Sequence, residues 1–517
     1  MKAVSGSDLH RLDQRAMEEA GIPGLRLMKI AGALATSAIM EYITRLMKFD
    51  VFPRNIILLA GKGNNGGDAF VVAKLLANLS EYNIFLHCIA PESELQGTAL
   101  DVFRELPDKI KGRITYGLQA SDLDLPNTLI VDGLLGTGFH GELKEPFASW
   151  IRLVNESGHP VVSLDIPSGL DATSGEVSSE AVTADLTLTM AQPKLGMLTQ
   201  EGIRRCGRIK VLDIGIPPRF LDDITDFTEC VTEDDIRRFL PRESFGIHKN
   251  SRGHLLVIGG SRNYSGAPLL TGEAALRSAA GLVTVAVPEN TACSSNYPKA
   301  LILREVSSGT DGFFNSDSLP ALQEMIRKAD AVVLGPGMGT EEISRCLPEL
   351  ILSCGKKVLL DADALNLLAA NPELADHISC DLTLTPHPGE MKRLAEAFGL
   401  SSALSRTESA KALAAKLRAV VILKGARTVI ADAAGKSAVN LSGCPALATA
   451  GTGDVLSGIL GAFLANGAFS SFDCAKTAVF LHGYAGELAQ PVGSRGLIAD
   501  DLICYLPQTF RKVSVTA

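Results

Sequence analysis

At 517 residues the chain exceeds what one compact core holds, and roughly two to four domains are expected. Hydrophobic residues make up 46% and charged residues 21%, ordinary globular proportions that exclude wholesale disorder. With 49 Lys plus Arg against 58 Asp plus Glu, a formal charge of -9 and no long basic run, the chain is a poor phosphate-backbone binder, so nucleic acid is excluded as the leading partner.

The N-terminus runs from Met1 into Asp8-Leu9-His10-Arg11 without an apolar core, so no secretory signal is read there. The longest nearly apolar stretch, Leu456 to Phe469, carries three glycines and falls short of the ~18 residues of a spanning helix. A cytoplasmic protein with no membrane partner is expected. The ten cysteines are scattered with no CxxC pair, which favours reduced, mostly buried thiols over a zinc site or disulfide framework.

In chain order, Ser7 is placed to cap an amphipathic helix ending near Gly21-Ile22-Pro23-Gly24. Strand-like runs follow at Ile56 to Leu59, Ile84 to Ile89, Leu129 to Val131, Val161 to Ile166, Leu186 to Met190 and Ile209 to Ile214. Phe70, Val71, Leu75, Leu76 and Leu79 form one apolar helical face between the first two runs. Strands alternating with helices predict a mostly parallel sheet covered on both faces.

Three strand ends in this half carry ligand-ready loops. Gly61-Lys62-Gly63-Asn64-Asn65-Gly66-Gly67-Asp68 lies between a strand and a helix, where free N–H groups favour an anion; a merely tight turn is the alternative. Asp132-Gly133-Leu134-Leu135-Gly136-Thr137-Gly138 and Asp165-Ile166-Pro167-Ser168-Gly169 repeat the arrangement, though any single Asp there also suits a turn cap. In an open parallel sheet such loops converge on one crevice. Asn65, Asp132 and Ser168 then offer hard oxygen ligands, while Asp165 stays available for proton transfer.

These segments resemble the NAD(P)H-hydrate epimerase family from Met1 to about Ile216, with Ala69 where the family commonly has Gly. The resemblance implies interconversion of the R and S forms at C6 of hydrated NADH or NADPH. It implies K+ held by Asn65, Asp132 and Ser168. Substrate contacts are implied at Asn64, Asn65, Gly66, Gly67 and Asp68, at Gly136, Thr137, Gly138, Phe139, His140, Gly141 and Glu142, and at Asp165. Asp165 is the expected catalytic proton-handling group, with Lys194 second.

Prolines and the acidic residues Asp222, Asp223, Asp226, Glu229 and Glu233 to Asp235 interrupt the rhythm between Pro217 and Phe245 and mark a junction. Beyond His248, strand-like runs resume at Leu255 to Ile258, Val283 to Val287, Val332 to Leu334, Val358 to Leu360, Leu382 to Leu384 and Val420 to Leu423. A hairpin around Gly435 (Val429-Ile430 with Ala438 to Leu441) precedes helices from about Thr452 and Phe472.

Gly451-Thr452-Gly453-Asp454 opens the first of these helices. Its amides offer an anion hole and its carboxylate a base for an attacking hydroxyl, unless Asp454 only complements the helix dipole. Lys424-Gly425-Ala426-Arg427-Thr428 provides cationic and backbone donors for a phosphate, or else a surface Lys-Arg pair. Gly335 to Gly339, Asp361 to Asn366 and Thr385-Pro386-His387-Pro388-Gly389-Glu390 are further strand-end loops; a lone His such as His387 is more often structural, but its flanking prolines favour a functional role.

With His248-Lys249, Gly259-Gly260-Ser261 and Ser265-Gly266-Ala267, these motifs resemble the ADP-dependent NAD(P)H-hydrate dehydratase family, itself similar to ribokinase-type kinases, from about Val231 onward. The family often reads Arg-Thr-Gly-Ala-Gly where this chain has Arg277-Ser278-Ala279-Ala280-Gly281. The resemblance implies nucleotide contacts at Lys424, Gly425, Ala426, Arg427, Thr428 and Gly453, and hydrate contacts at Ala267, Gly337, His387 and Asp454. It further implies ADP as co-substrate, Mg2+, Asp454 as catalytic base, and a homo-oligomer.

The expected fold is thus α/β throughout, with a Rossmann-like domain at 1-216, a junction at 217-247 and a ribokinase-like α/β domain at 248-517. The expected activity is epimerisation joined to ADP-dependent dehydration of the S hydrate, giving AMP and phosphate. The rivals are a ribokinase-like small-molecule kinase with a regulatory Rossmann domain and a nucleotide-binding protein without catalysis.

Overall fold

Valine, isoleucine and leucine runs bounded by glycine make the strands, and amphipathic stretches between them make the covering helices. The computed structural model describes all residues except 49, 80, 241–244, 290, 292–296, 309–311, 342–344, 490–494 and 516–517. The chain separates into two units, Met1–Glu229 and Cys230–Ala517.

The first unit begins with β1 (Lys2–Ala3) and the helix Gly6–Glu18. Its N-cap is Ser5 rather than Ser7: the Ser5 hydroxyl accepts from the Asp8 amide at 3.0 Å, the spacing a cap requires. The main sheet comprises β2 (Asn55–Ala60), β3 (Asn83–Cys88), β4 (Ile114–Tyr116), β5 (Thr128–Gly133), β6 (Val161–Leu164), β7 (Leu186–Met190) and β8 (Arg208–Leu212). All are parallel, in the order β4-β3-β2-β5-β6-β7-β8. The order reverses between β2 and β5, so the loops following those two strands flank the crevice where such sheets bind ligands.

Helix Asn64–Leu76, which follows β2, buries Phe70 completely, edge-on to Phe103 with centroids 5.2 Å apart. Burying such a ring contributes about 1.5–3 kcal/mol. A side chain at Gly32 of helix Gly24–Met47 would come within 2.4 Å of Val71, so this glycine sets how closely the two helices pack. On the other face, helix Phe147–Glu156 inserts Trp150, Ile151 and Val154 against Ile57, Leu59 and Ile130. Ala69 is fully buried, and a Cβ on Gly133 would lie 2.8 Å from its methyl, so the alanine is accommodated because β5 ends on glycine.

The stretch read as a junction is structured where it is described. It holds β9 (Thr228–Val231), whose Thr228 and Glu229 pair antiparallel with β1, and the short helix Glu233–Arg237. Part of its acidic cluster is helix chemistry: Thr232 and Asp235 form a reciprocal cap.

In the second unit the strands are β10 (His254–Ile258), β11 (Leu282–Pro288), β12 (Ile302–Val306), β13 (Ala331–Leu334), β14 (Lys357–Leu360), β15 (Asp381–Leu384), β16 (Val420–Leu423), β17 (Val429–Ala431) and β18 (Ser437–Asn440). They neighbour in the order β18-β17-β16-β15-β14-β13-β10-β11-β12. The strands from β16 to β12 are parallel, and β16-β17-β18 form an antiparallel ribbon turning at Gly435. Here the reversal falls between β13 and β10.

Helix Thr452–Asn466 is buried on nearly every side, which explains the long apolar run read from the sequence. It packs on helix Ala267–Arg277 so closely that a Cβ at Gly458 would sit 2.2 Å from the Thr271 carbonyl. Among the described residues, no helix is long and apolar enough to cross a membrane. Four of the cysteines, Cys88, Cys206, Cys230 and Cys474, are buried; Cys346, Cys354, Cys380 and Cys444 are half-buried and Cys504 is exposed, so the thiols are less buried than expected, and Cys293 lies outside the described residues.

Ala279 adopts φ +68°, a left-handed conformation that its Cβ disfavours. This is the position where the resembled family often carries glycine. Ala279→Gly is expected to raise stability by about 0.5–1 kcal/mol, relief of strain outweighing the extra freedom of glycine in the unfolded chain. Thermal denaturation checks it.

Candidate functional sites

In the first unit, Asn65, Asp132 and Ser168 converge on the backbone of Leu134 and Leu135. The Asn65 amide donates to the Leu135 carbonyl at 2.8 Å, and the Leu135 N–H donates to the Ser168 hydroxyl at 2.8 Å. Asp132, fully buried, accepts from the Ser163 hydroxyl, the Ser168 hydroxyl and amide, and the Leu134 amide at 2.6–3.2 Å. Burial nevertheless holds its carboxyl above the ordinary range, those hydrogen bonds offsetting only part of the effect. The Asn65 side-chain oxygen is buried with no partner, which is where an absent cation would leave its mark.

The helix Asn64–Leu76 starts at Gly63, which supplies no side-chain cap, so its first amides stay open to a ligand. The glycines around it have different duties. A Cβ on Gly61 would lie 1.8 Å from the Leu134 carbonyl oxygen, and one on Gly66 would lie 1.9 Å from the Gly61 carbonyl oxygen. Gly67 faces Met28, with 2.5 Å of room, whereas nothing lies within 4 Å of a Cβ on Gly63. Gly66 and Gly67 are therefore packing positions, and Asn64 is exposed.

Asp165 sits at φ +62° immediately after β6, a conformation that turns its side chain back toward β7. It is ion-paired with Lys194, which is 1% exposed and also donates to the Thr189 hydroxyl at 2.6 Å and the Met190 carbonyl at 3.3 Å. The Met190 amide donates to the same carboxylate at 3.1 Å. Asp68 is buried, and burial, reinforced by the charges of Asp165 and Asp13, pushes its carboxyl well above the ordinary range. Asp13 was not singled out by the sequence; its helix position places a fourth ionisable group here.

Loop residues Gly136 to Glu142 run outward from this cluster. Gly136 lies against Asn65 and Asp165, and His140 Nδ1 is 2.7 Å from Asp171. A cavity of about 710 Å3 is lined by Phe139, Gly141, Glu142, Asp171, Val177 and Thr199 among others, and by none of Asn65, Asp132 or Asp165. It belongs to the outer end of the loop rather than to the ionisable cluster.

In the second unit the switch-point loops meet directly: a Cβ on Gly337 would lie 3.2 Å from that of Ala267, and the Ser261 hydroxyl donates to the Gly337 carbonyl at 2.8 Å. Along the same strand ends, Lys424 donates to Asp361 at 2.7 Å and lies 3.9 Å from Glu390, and Ser457 donates to the other Asp361 oxygen at 2.6 Å. Asp361 is buried, but the Lys424 ammonium overcomes that burial and holds its carboxyl below the ordinary range.

Helix Thr452–Asn466 begins at Gly451 in the left-handed region with no side-chain cap; the Thr452 amide donates to the Thr449 carbonyl at 3.4 Å, and the Gly453 and Asp454 amides follow it in the first turn. A Cβ on Gly453 would be 3.7 Å from the Lys424 ammonium. Asp454 follows, its carboxyl pushed up to about 8 by burial and then by the Asp361 charge. Behind it, His482 donates from Nε2 to the Thr452 carbonyl at 2.8 Å; burial drops its imidazole to about 4, so it is a neutral prop.

His387 caps helix Pro388–Ala397, its Nδ1 accepting from the Gly389 amide at 2.9 Å and the Glu390 amide at 3.3 Å. That commits Nδ1 to the helix start, while Nε2 lies 3.3 Å from the Glu390 carboxylate on the half-exposed side of the ring. Arg427 does not present its guanidinium as a loop cation: it is buried and donates to the Leu441 carbonyl at 3.1 Å. The cationic donor of the loop is Lys424. Sequence reasoning missed Arg406, which reaches across the loop and donates to the carbonyls of Leu423 at 3.4 Å, Lys424 at 3.2 Å and Ala426 at 2.8 Å. It sits at the start of an ordinary helix, Arg406–Leu417, eighteen positions from Lys424, with no motif to mark it.

Residues 255–508 match a family described as NAD(P)H-hydrate dehydratase, and residues 24–196 match one described as YjeF-related protein N-terminus. The bifunctional NAD(P)H-hydrate repair enzyme of Moorella thermoacetica is 36% identical, covering 99% of this chain and 97% of its own length. That of Dictyoglomus turgidum is 33% identical, covering 99% of each chain. Among solved structures, an ADP/ATP-dependent NAD(P)H-hydrate dehydratase from Bacillus subtilis is 28% identical, covering 55% of this chain and 99% of its own, with a TM-score of 0.46.

Proposed function

The chain belongs to the bifunctional NAD(P)H-hydrate repair enzymes, and from that premise we propose that Met1–Glu229 interconverts the R and S hydrates of NADH and NADPH while Cys230–Ala517 returns the S hydrate to the reduced nucleotide with ADP. The observation that carries the reading is that each unit holds its own buried acid–base cluster: Asp165 with Lys194 beyond the ends of β6 and β7 in one, Asp454 beside an uncapped helix terminus and Lys424 in the other.

The hydrate bears a hydroxyl on C6 next to the ring nitrogen, so its configuration is lost and regained by acid–base chemistry at that carbon. Asp165 and Lys194 provide a base and an acid already in contact. Asn65, Asp132 and Ser168 would hold K+; the unpartnered Asn65 oxygen fits it, and the cation would offset the Asp132 charge and pin three loops together.

In the second unit, Asp454 takes the proton of the C6 hydroxyl as that oxygen attacks the β-phosphorus of ADP, and AMP departs. The C6–O bond then breaks with phosphate as leaving group, pushed by the ring-nitrogen lone pair, and loss of the C5 proton closes the double bond. The Gly453 and Asp454 amides and Lys424 would bind the transferred phosphoryl group. Among the described residues no cluster of three or more His, Cys, Asp or Glu side chains is arranged to hold a metal, so Mg2+ would be carried chiefly by the ADP phosphates, offsetting their charge.

The test follows dihydronicotinamide absorbance from an R/S mixture of hydrated NADH with ADP, with ATP and with neither. Complete recovery with ADP is expected. A stable phosphorylated product with ATP would favour the kinase instead, and no recovery with either nucleotide would overturn the reading.

Arg406 gives a separate expectation. Its three bonds hold the Lys424 loop in shape, so Arg406→Ala should raise KM for ADP about 10- to 100-fold with a smaller fall in kcat. Initial rates at varied ADP measure it, and Arg406→Lys should recover only part of the affinity.

A further inference from the structure

Asp13 occupies an odd place for a carboxylate. Helix Gly6–Glu18 turns Gly6, Leu9, Leu12 and Ala16 inward, and Asp13, four residues after Leu9 and three before Ala16, lies along that stripe, half-buried. The segment before the helix is fastened beside Lys194: the Val4 amide donates to the Pro193 carbonyl at 3.0 Å, and the Leu195 amide donates to the Val4 carbonyl at 2.9 Å. The helix start is pinned as well, the Gly6 amide donating to the Thr173 hydroxyl at 3.0 Å, while a Cβ on Gly6 would lie 3.3 Å from the Thr137 carbonyl of the substrate loop. These anchors fix the helix over the Asp165–Lys194 pair.

We propose that Asp13 is a positioning residue of the epimerising site, its carboxyl group governing how the exchangeable proton is shared within the Asp165–Lys194 pair. The inference rests on the reading of that pair given above. The charges that act on Asp13 are those of Asp165 after β6, Lys194 after β7 and His10 on its own helix, and Asp13 acts in turn on Asp68 of helix Asn64–Leu76. Three carboxylates thus share one ammonium in a largely buried space, and they cannot all ionise without cost.

Burial, then the Asp165 charge, pushes Asp13 up to about 6. Below that pH it is neutral. Above it, a negative charge appears next to the Asp165–Lys194 pair and changes the field in which that pair meets the substrate. Because the folded value is raised, its contribution to stability is fully present below about 3.8 and is lost as pH rises through about 6.

The experiment uses the full-length chain and follows conversion of pure R hydrate to the S form from pH 5 to 9. In wild type, kcat/KM for epimerisation should show an inflection near 6. Asp13→Asn should abolish that inflection and lower kcat at neutral pH about tenfold, with KM changed less than about twofold. Asp13→Glu should restore an inflection. ADP-dependent dehydration of S hydrate, which does not use Asp13, reports only that the second unit is intact, so folding of the first is read from the melt, where Asp13→Asn should unfold cooperatively and higher than wild type above pH 6 but not near pH 4.

An unchanged inflection in Asp13→Asn, or none in wild type, overturns the inference. If Asp13→Asn fails to fold, Asp13→Ser takes its place, and an unchanged inflection there overturns the inference. Asp165→Asn keeps the outcomes apart. Undiminished epimerisation there removes the site reading itself, whereas loss there with an unmoved Asp13→Asn profile removes only the role of Asp13.

Discussion

Asp454→Asn should lower ADP-dependent dehydration of the S hydrate by roughly 10²- to 10⁴-fold, the range that loss of a positioned general base removes, and leave R/S interconversion untouched. The carboxyl stands at about 8 because burial and the neighbouring Asp361 both oppose its ionisation, while Lys424 favours it. A base must be ionised, so kcat/KM of the wild type should climb with pH until about 8 and then level. The variant should lose that limb. Stability moves the opposite way. For a raised acid the stabilising contribution is complete below its unfolded value and disappears as pH rises through the folded one, so the wild type carries the full penalty only in alkali. Asp454→Asn should therefore be more stable than wild type at neutral pH, by about 2–3 kcal/mol. A dead enzyme that melts higher is the signature sought; a dead enzyme that melts lower would indicate damage to the helix start instead.

Asp165→Asn should reduce epimerisation by a similar factor, roughly 10²- to 10⁴-fold, without touching dehydration of S hydrate. With an R/S mixture, rapid recovery of reduced nucleotide would stop at the S share. Asparagine is the right replacement because it tolerates the left-handed backbone that Asp165 adopts at +62°. The complication is Lys194, which is 1% exposed and would lose its counter-ion. Removing one partner of a buried pair costs about 3–5 kcal/mol. The double variant Asp165→Asn with Lys194→Met removes both charges. It should recover much of the lost stability and none of the epimerisation. Recovery of epimerisation in the double variant would place the chemistry on other groups.

How much of this was legible beforehand depended on what carried the signal. Interior strands show as apolar runs, uninterrupted in β16 at Val420–Leu423 and interleaved with buried threonines in β7 at Leu186–Met190, and both lie where the sequence placed them. Edge strands are not: β4 is three residues, and β12 reads Ile-Leu-Arg-Glu-Val, with charges where solvent meets the sheet margin. The run read as Val161 to Ile166 stops at Leu164 because Asp165 turns left-handed, a backbone property that no hydrophobic pattern encodes. Residues at strand ends and helix starts were findable, since topology alone collects them: Asn65, Asp132 and Ser168 within the first unit, Lys424 and Asp454 within the second. Asp13 and Arg406 were not, because each reaches its cluster from an ordinary helix, and only packing shows where that helix lies.

The nested turn after β2 has a consequence for any survey of tolerated substitutions. Gly61 and Gly66 each face a carbonyl oxygen within 2 Å of where a methyl would go, so every replacement there fails on folding grounds whether or not a ligand exists. Gly63 has ordinary φ and open space around it, and the fold asks nothing of it. In a library of loop variants sorted first for folded chains and then for epimerisation, Gly61 and Gly66 drop out at the first sort. Depletion at Gly63 confined to the second sort would trace the outline of the substrate itself.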